Sequence, residues 1–186
     1  CENDLELVKI VVNSKSNLVR IPYTIPSHKV IDGVSYLLLQ NTALQVFGDH
    51  NLMNLNAAKL VCEQLQINAD EFNIAIASFT GAAKRLELLN SRNETSVYKD
   101  FAHSPSKLKA TIDAVKAQFT DRKLVACIEL HTFSSLNKAF LQEYKNTMFE
   151  ADIAVVYIDE KTFKQKKMEP LDVADVQTSF NDKNIV

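Results

Sequence analysis

Glycine is scarce in this chain: among 186 residues only Gly33, Gly48 and Gly81 occur. Neither a G-x-x-x-x-G-K-[ST] phosphate loop nor a G-x-G-x-x-G fingerprint can be written anywhere in it. If ATP is used, its phosphates are expected to be cradled by residues outside this sequence. Charge of one sign is also missing. Lys+Arg 21 against Asp+Glu 23 leaves a net charge near −2, so no field favours nucleic acid or an acidic membrane. Apolar runs such as Leu124-Val125-Ala126-Cys127-Ile128 are far too short to span a bilayer, and no signal-like segment opens the chain. Cys1, Cys62 and Cys127 form no C-x-x-C pair and are odd in number, which points to reduced thiols and a cytoplasmic location. Cys1 also invites comparison with a processed lipoprotein. Glu2-Asn3-Asp4 runs straight into an amphipathic segment without a polar tether, however, so an excised domain boundary is the preferred reading.

What is present is 46% hydrophobic, enough for one or two domains of about 100 residues each. Residues 3–13 read weakly as a helix, and 17–33, with Pro22, Pro26 and Gly33, as extended chain and turns. Ser35–Gln40 and Ala43–Phe47 read as strands around Asn41-Thr42. Leu52–Gln66 is predicted helical, with Leu55, Ala58, Cys62 and Leu65 as its apolar stripe, and Asp70 is predicted to cap a second helix. After Gly81 the pattern alternates. Arg85–Leu89 and Ser96–Lys99 are predicted strands, and Ser104-Pro105 opens a helix with serine at N-cap and proline at N1. Lys123–Leu130 is a predicted buried strand, Ser135–Met148 a helix, and Ala151–Ile158 a strand too uniformly apolar to be half exposed. The four lysines of 161–167 read as a solvated loop. Asn184-Ile185-Val186 resembles the start of a further strand. A boundary near residue 80 is expected, with an α/β piece behind it whose mostly parallel sheet is covered on both faces.

Several polar residues fall at predicted bends. His103 and His131 each follow a strand and precede a helix, and in open α/β sheets ligands bind beyond the carboxyl ends of strands. Helix starts at Ser104 and at Ser134-Ser135 would add backbone N–H groups suited to a carboxylate or phosphate. The alternative is that both histidines only cap or pack. Asn51 and Asn54 lie three apart on one helix, on the side of the apolar stripe. They could meet the donor–acceptor edge of adenine. By spacing alone, capping by Asn51 and a loop contact by Asn54 explain them better. Arg85 could hold a phosphate or pair with Glu87, and Asp100 could accept ribose hydroxyls. No ligand pair has zinc spacing.

Three segments in order resemble the motifs of the Mur ligases, ATP-dependent enzymes that join amino acids or peptides to UDP-N-acetylmuramic acid. They are Gly48-Asp49-His50-Asn51-Leu52-Met53-Asn54, then Gly81-Ala82-Ala83-Lys84-Arg85-Leu86-Glu87-Leu88-Leu89, then Val97-Tyr98-Lys99-Asp100-Phe101-Ala102-His103-Ser104-Pro105. The resemblance implies that residues 1–80 are the tail of the central ATPase domain and 81–186 a Rossmann-like C-terminal domain, truncated at its end. It implies ATP contacts from His50, Asn51, Asn54, Arg85 and Asp100, and acceptor contacts from His103, Ser104, His131, Thr132 and Ser134. Mg²⁺ and the ATP phosphates would be held mainly by residues outside this sequence. The implied chemistry is acyl-phosphate formation on UDP-N-acetylmuramate followed by attack of an amine, with no nucleic-acid or membrane partner. Arg85-Leu86-Glu87-Leu88 and 97–103 look most like the branch that adds a murein tripeptide, with the L-alanine-adding branch as the alternative. Glu129-Leu130-His131-Thr132-Phe133-Ser134 departs from the tripeptide pattern. A stand-alone nucleotide- or peptide-binding module is the competing class.

Overall fold

The computed structural model describes residues 4–14, 16, 19–181 and 185–186. Cys1, Glu2, Asn3 and Asn184, on which some of the sequence expectations fall, lie outside the described residues. The chain divides into two compact units, Cys1–Gly81 and Ala82–Val186.

In the first unit, helix α1 (Leu5–Asn13) is capped by Asp4, whose carboxylate accepts from the Leu7 N–H. A three-stranded antiparallel sheet follows, β1 (His28–Ile31), β2 (Val34–Leu37) and β3 (Thr42–Leu44), in that order across the sheet. β1 occupies part of the segment expected to be irregular. Gly33 at φ 74° and Asp32 at φ 50° make the tight turn that lets it pair with β2. Helix α2 (Asp49–Gln64) starts earlier than expected, because Gly48 takes up the N-cap position at φ 87°, ψ 145°, a conformation that favours glycine. Its buried face is Leu52 and Leu55, while Ala58 and Leu65 are exposed. Helix α3 (Ala69–Ala77) is capped by Asn68 in a reciprocal capping box with Glu71. Asp70, expected at that cap, instead accepts a hydrogen bond from Gln40. Leu37, Leu44, Leu52, Leu55 and Phe72 form the core of this unit.

The second unit opens with an antiparallel hairpin, β4 (Glu87–Arg92) and β5 (Thr95–Lys99), turned at Asn93. Helix α4 (Pro105–Gln118) begins at the expected serine–proline pair, although the Ser104 hydroxyl makes no capping bond. Strands β6 (Val125–Glu129) and β7 (Ile153–Tyr157) pair in parallel, and a parallel bridge joins Ala154 to Ile185. The unit is therefore mixed α/β with a parallel sheet. Leu108 and Ile112 of α4 share a core with Ile128, Ala154, Tyr144 and Phe180. On the opposite sheet face Val125, Ile153 and Tyr157 are exposed, so the strands expected to be buried on both faces are covered on one among the described residues.

Two further expectations are corrected here. The predicted helix 135–148 is a series of turns with one 3₁₀ helix, Phe140–Tyr144. The Asn137 side chain accepts from the Ala139 and Phe140 N–H groups, and Lys145 turns extended. Such side-chain bonds compete with an α-helix. Leu136, Leu141, Tyr144 and Met148 anchor the turns in the core rather than forming one helical stripe. The lysine-rich 161–167 stretch lies in helix α5 (Glu160–Lys166), capped by Asp159 and fastened by buried Phe163. Helix α6 (Val173–Phe180), which the sequence reading did not foresee, ends at the left-handed Asn181.

Candidate functional site

The first motif spans the start of α2. Its three leading residues place His50 and Asn51, both partly buried, in the first turn. Asn51 Nδ2 donates to the Phe47 carbonyl at 2.9 Å, tying the helix start to the chain before it. An amide nitrogen carries two hydrogens, so one donor and the amide oxygen are not used by that bond. Asn54 is exposed, and its side chain makes no hydrogen bond among the described residues. The expectation that both amides turn inward along the apolar stripe is therefore corrected. The buried face runs through Leu52 and Leu55, which carries Asn54 round to solvent at about 100° per residue.

The second and third motifs meet. The Phe101 N–H donates to the Lys84 carbonyl at 2.9 Å, and the Glu87 carboxylate accepts from the Lys84 N–H at 2.7 Å. Glu87 thus secures the backbone rather than pairing with Arg85. Arg85 is exposed and forms no ion pair among the described residues, and it lies between two left-handed residues, Lys84 at φ 58° and Leu86 at φ 44°. Positive φ at a leucine is a costly conformation that surrounding structure must hold. Asp100 is partly buried, and its Oδ2 accepts from the Thr111 hydroxyl at 3.0 Å.

His103 is held from several sides. Its Nδ1 lies 3.1 Å from the Phe101 carbonyl, its ring meets Phe101 edge-on at 5.0 Å, and its own carbonyl accepts from Tyr144 Oη at 2.7 Å. Tyr144 is fully buried and stacks on Phe180, and burial raises its pKa above the ordinary tyrosine value. Burial likewise raises Tyr98, against the opposing charge of Arg122. A carbonyl can only accept, so this contact uses Nδ1 of His103 as the donor. His131 repeats the arrangement on the Glu129 carbonyl at 3.3 Å. So does His28 on Pro26, outside every motif, which marks the contact as a local backbone habit rather than a site signature.

The two histidines do not follow strands of one sheet. His103 follows β5 of the antiparallel hairpin and His131 follows β6 of the parallel pair. The single crevice expected at the end of a shared parallel sheet is corrected accordingly. No helix starts directly after His131, where a turn follows instead. Thr132, Ser134 and Ser135 close a turn on themselves, with the Thr132 N–H donating to Ser135 Oγ and the Ser135 N–H to Thr132 Oγ1, each at 3.0 Å. Thr132 and Ser134 therefore read as turn-formers whose polar atoms already have partners.

Thr111, Tyr144 and Glu87 are the residues that the sequence reading missed as supports of this region. Each acts on a partner fixed by folding; Glu87 stands inside the second motif, whereas no motif marks Thr111 or Tyr144. A cavity of about 680 Å³ elsewhere in the second unit is lined by Phe163, Met168, Leu171 and Val176, with Lys164 and Lys167, and includes none of the expected site residues. Among the described residues no group of three or more His, Cys, Asp or Glu side chains could hold a metal ion. No described helix is long and apolar enough to cross a membrane.

No protein-family model matches the chain. A UDP-N-acetylmuramate–L-alanine ligase of Salinibacter ruber is 34% identical over 113 residues, covering 61% of this chain and 24% of that protein. One from Lactobacillus delbrueckii subsp. bulgaricus is 36% identical over 111 residues, covering 60% of the chain and 25% of the relative. The chain thus spans about a quarter of the length of the curated relatives it matches. Among solved structures, the UDP-N-acetylmuramate–alanine ligase of Thermotoga maritima superposes with a TM-score of 0.64 at 20% identity, over 91% of this chain and 38% of that one. A Mycobacterium tuberculosis folylpolyglutamate synthase complexed with ADP gives 0.60 at 20% identity, over 87% and 36%. In sequence over part of its length, and in fold over most of it, the chain is similar to the Mur ligases.

Proposed function

We propose that this chain is part of an ATP-dependent Mur ligase that joins an amine to the carboxyl group of UDP-N-acetylmuramate through an acyl phosphate, acting in the cytoplasm. In this reading the first unit is the tail of the central ATPase domain and the second the C-terminal domain. The observation that carries it is the junction of the second and third motifs. The Phe101–Lys84 backbone bond links the loop of Arg85, a guanidinium with no ion pair among the described residues, to the loop of Asp100. A guanidinium suits an anionic phosphate and an aspartate suits ribose hydroxyls. Asn51 and Asn54 would address adenine, with His50 beside them, through amide atoms that the Asn51–Phe47 bond does not use. His103, Ser104, His131, Thr132 and Ser134 would border the acceptor amine. The Thr132 and Ser134 hydroxyls would contribute while keeping their turn.

This chain's residues would bind and orient. Phosphoryl transfer of this kind depends on positioning and charge neutralisation, and Mg²⁺ would supply the latter from ligands elsewhere in the polypeptide. For the acceptor, the names of the relatives support L-alanine. Arg85-Leu86-Glu87-Leu88 supports a murein tripeptide as the second reading. Steady-state assay of ADP release by the full-length polypeptide with UDP-N-acetylmuramate should show activity with one of these acceptors and a higher kcat/KM for it. Arg85→Ala should lower kcat/KM for ATP by about ten- to a hundredfold, the effect of removing a charged hydrogen-bond donor. No ADP release with either acceptor, or an unaffected Arg85→Ala variant, would overturn the reading.

A further inference from the structure

Thr111 stands in α4, one residue before the buried Ile112 and three after the buried Leu108. Those two neighbours fix the helix in the core, so the Thr111 hydroxyl is carried at a defined place. A helical threonine commonly returns its hydroxyl hydrogen to the carbonyl one turn back. Here the hydroxyl donates instead to Asp100 Oδ2, at 3.0 Å and across eleven residues of chain. The loop that carries Asp100 is fastened at the next residue by the Phe101–Lys84 bond. Two residues further on, Tyr144 Oη donates to the His103 carbonyl at 2.7 Å. The backbone is thus held on one side of the aspartate, and Thr111 is the only hydrogen-bond partner of its carboxylate among the described residues.

We infer that Thr111 is a positioning residue. Its hydroxyl occupies one carboxylate oxygen of Asp100 and sets the plane of the group, so that Oδ1 is presented to a ribose diol. The inference rests on the proposed nucleotide role of Asp100 and adds how that specificity is built. An ionised carboxylate accepts through two oxygens and can turn about its Cβ–Cγ bond. A donor on one oxygen from a rigid helix removes most of that freedom before the nucleotide arrives, which is preorganisation.

The test uses the full-length enzyme with ATP, 2′-deoxy-ATP and 3′-deoxy-ATP. Thr111→Val keeps the shape and removes the hydroxyl, and Thr111→Ser keeps the hydroxyl. Thr111→Val should raise KM for ATP by about five- to tenfold, less than the loss of a direct charged hydrogen bond, because the hydroxyl acts on the nucleotide only through Asp100. kcat should stay within about twofold, because the bond acts on binding rather than on the reacting atoms. Thr111→Ser should restore KM to near its original value. The penalty of Thr111→Val should shrink with whichever deoxy nucleotide lacks the contacted hydroxyl, because coupled groups are not additive. A helix-packing role for Thr111 would instead lower thermal stability and penalise all three nucleotides alike. If Asp100→Asn raises KM for ATP and Thr111→Val does not, the positioning role is wrong while the nucleotide reading stands. If Asp100→Asn leaves KM for ATP and the deoxy discrimination unchanged, the ribose reading fails and the inference with it.

Discussion

The two units differ in how their motif residues are held. In the first unit the motif sits on the opening turns of one helix, anchored in the core by Leu52. Asn51 bonds to a carbonyl four residues away and Asn54 faces solvent. In the second unit the motif loops are tied by bonds that reach across the chain, from Phe101 to Lys84, Thr111 to Asp100 and Tyr144 to His103. Their cores differ in the same sense. Among the described residues, five buried apolar residues form the first cluster and thirteen the second, so the second has more buried area to resist a cavity or a lost bond. A geometry assembled from several loops requires a rigid frame.

Emptying each core is the strongest way to break this comparison. Leu52→Ala in the first unit and Leu141→Ala in the second both remove a fully buried side chain, at a cost of about 2–5 kcal/mol. A core the size of the first unit's supplies only about 3–5 kcal/mol. Calorimetry of the chain should therefore show Leu52→Ala abolishing the first unit's transition, with Leu141→Ala only lowering the second's. Equal downward shifts of both transitions would mean that the units share their stability.

A smaller effect is expected from Tyr144→Phe. The change leaves the His103 carbonyl without its donor and should cost about 1–3 kcal/mol in urea unfolding of the second unit. The first unit's midpoint should not move. A silent Tyr144→Phe would show that the aromatic stack on Phe180 alone holds this turn.

The pH response should separate the units at its two extremes, and by the least. Burial raises Tyr144 and Tyr98 above the ordinary value of about 10. The folded state then keeps protons that the unfolded state releases. The second unit's stability should be whole below about pH 10 and fall as pH rises through the folded values. Asp152 is shifted the other way. Hydrogen bonds from Lys116 Nζ and the Leu124 N–H, each 2.8 Å, lower its pKa. Its contribution is present above the unfolded value of about 4 and is lost as pH falls through the lower folded one. Urea midpoints against pH, with Tyr144→Phe and Asp152→Asn as controls, check both limbs. An Asp152→Asn profile identical to the parent's at low pH would remove that ion pair as a source of stability.

Much of the local structure was legible. Gly48 before a polar turn, Ser104-Pro105 before an apolar stripe, and the alternation around 85–99 each produced an element near its expected place. Failures came where spacing has more than one physical meaning. Leu136, Phe140, Tyr144 and Met148 recur at helical intervals, but Asn137 and the Thr132–Ser135 pair offer the backbone side-chain partners that a helix cannot match. Lysines at 161, 164, 166 and 167 hid the single anchor, Phe163, that makes the segment a helix with one buried contact. The candidate site was legible as residue types in order. Which amides face outward, and which histidines share a sheet, were not.

Capping, turn chemistry and the choice of strand or helix act over a few residues, so the sequence by itself determined where most elements begin and which polar groups stand at their ends. It also determined the lack of a phosphate loop, which depends only on glycine count and spacing. The partners of those polar groups were decided by tertiary structure. Arg85 and Glu87 are two residues apart, yet Glu87 bonds the Lys84 backbone because two left-handed residues flank Arg85. Asp100 meets Thr111 across eleven residues, and the His103 carbonyl meets Tyr144 across forty-one. Such bonds form only after apolar burial has placed α4 and the turns beside one another, and no local rule selects them.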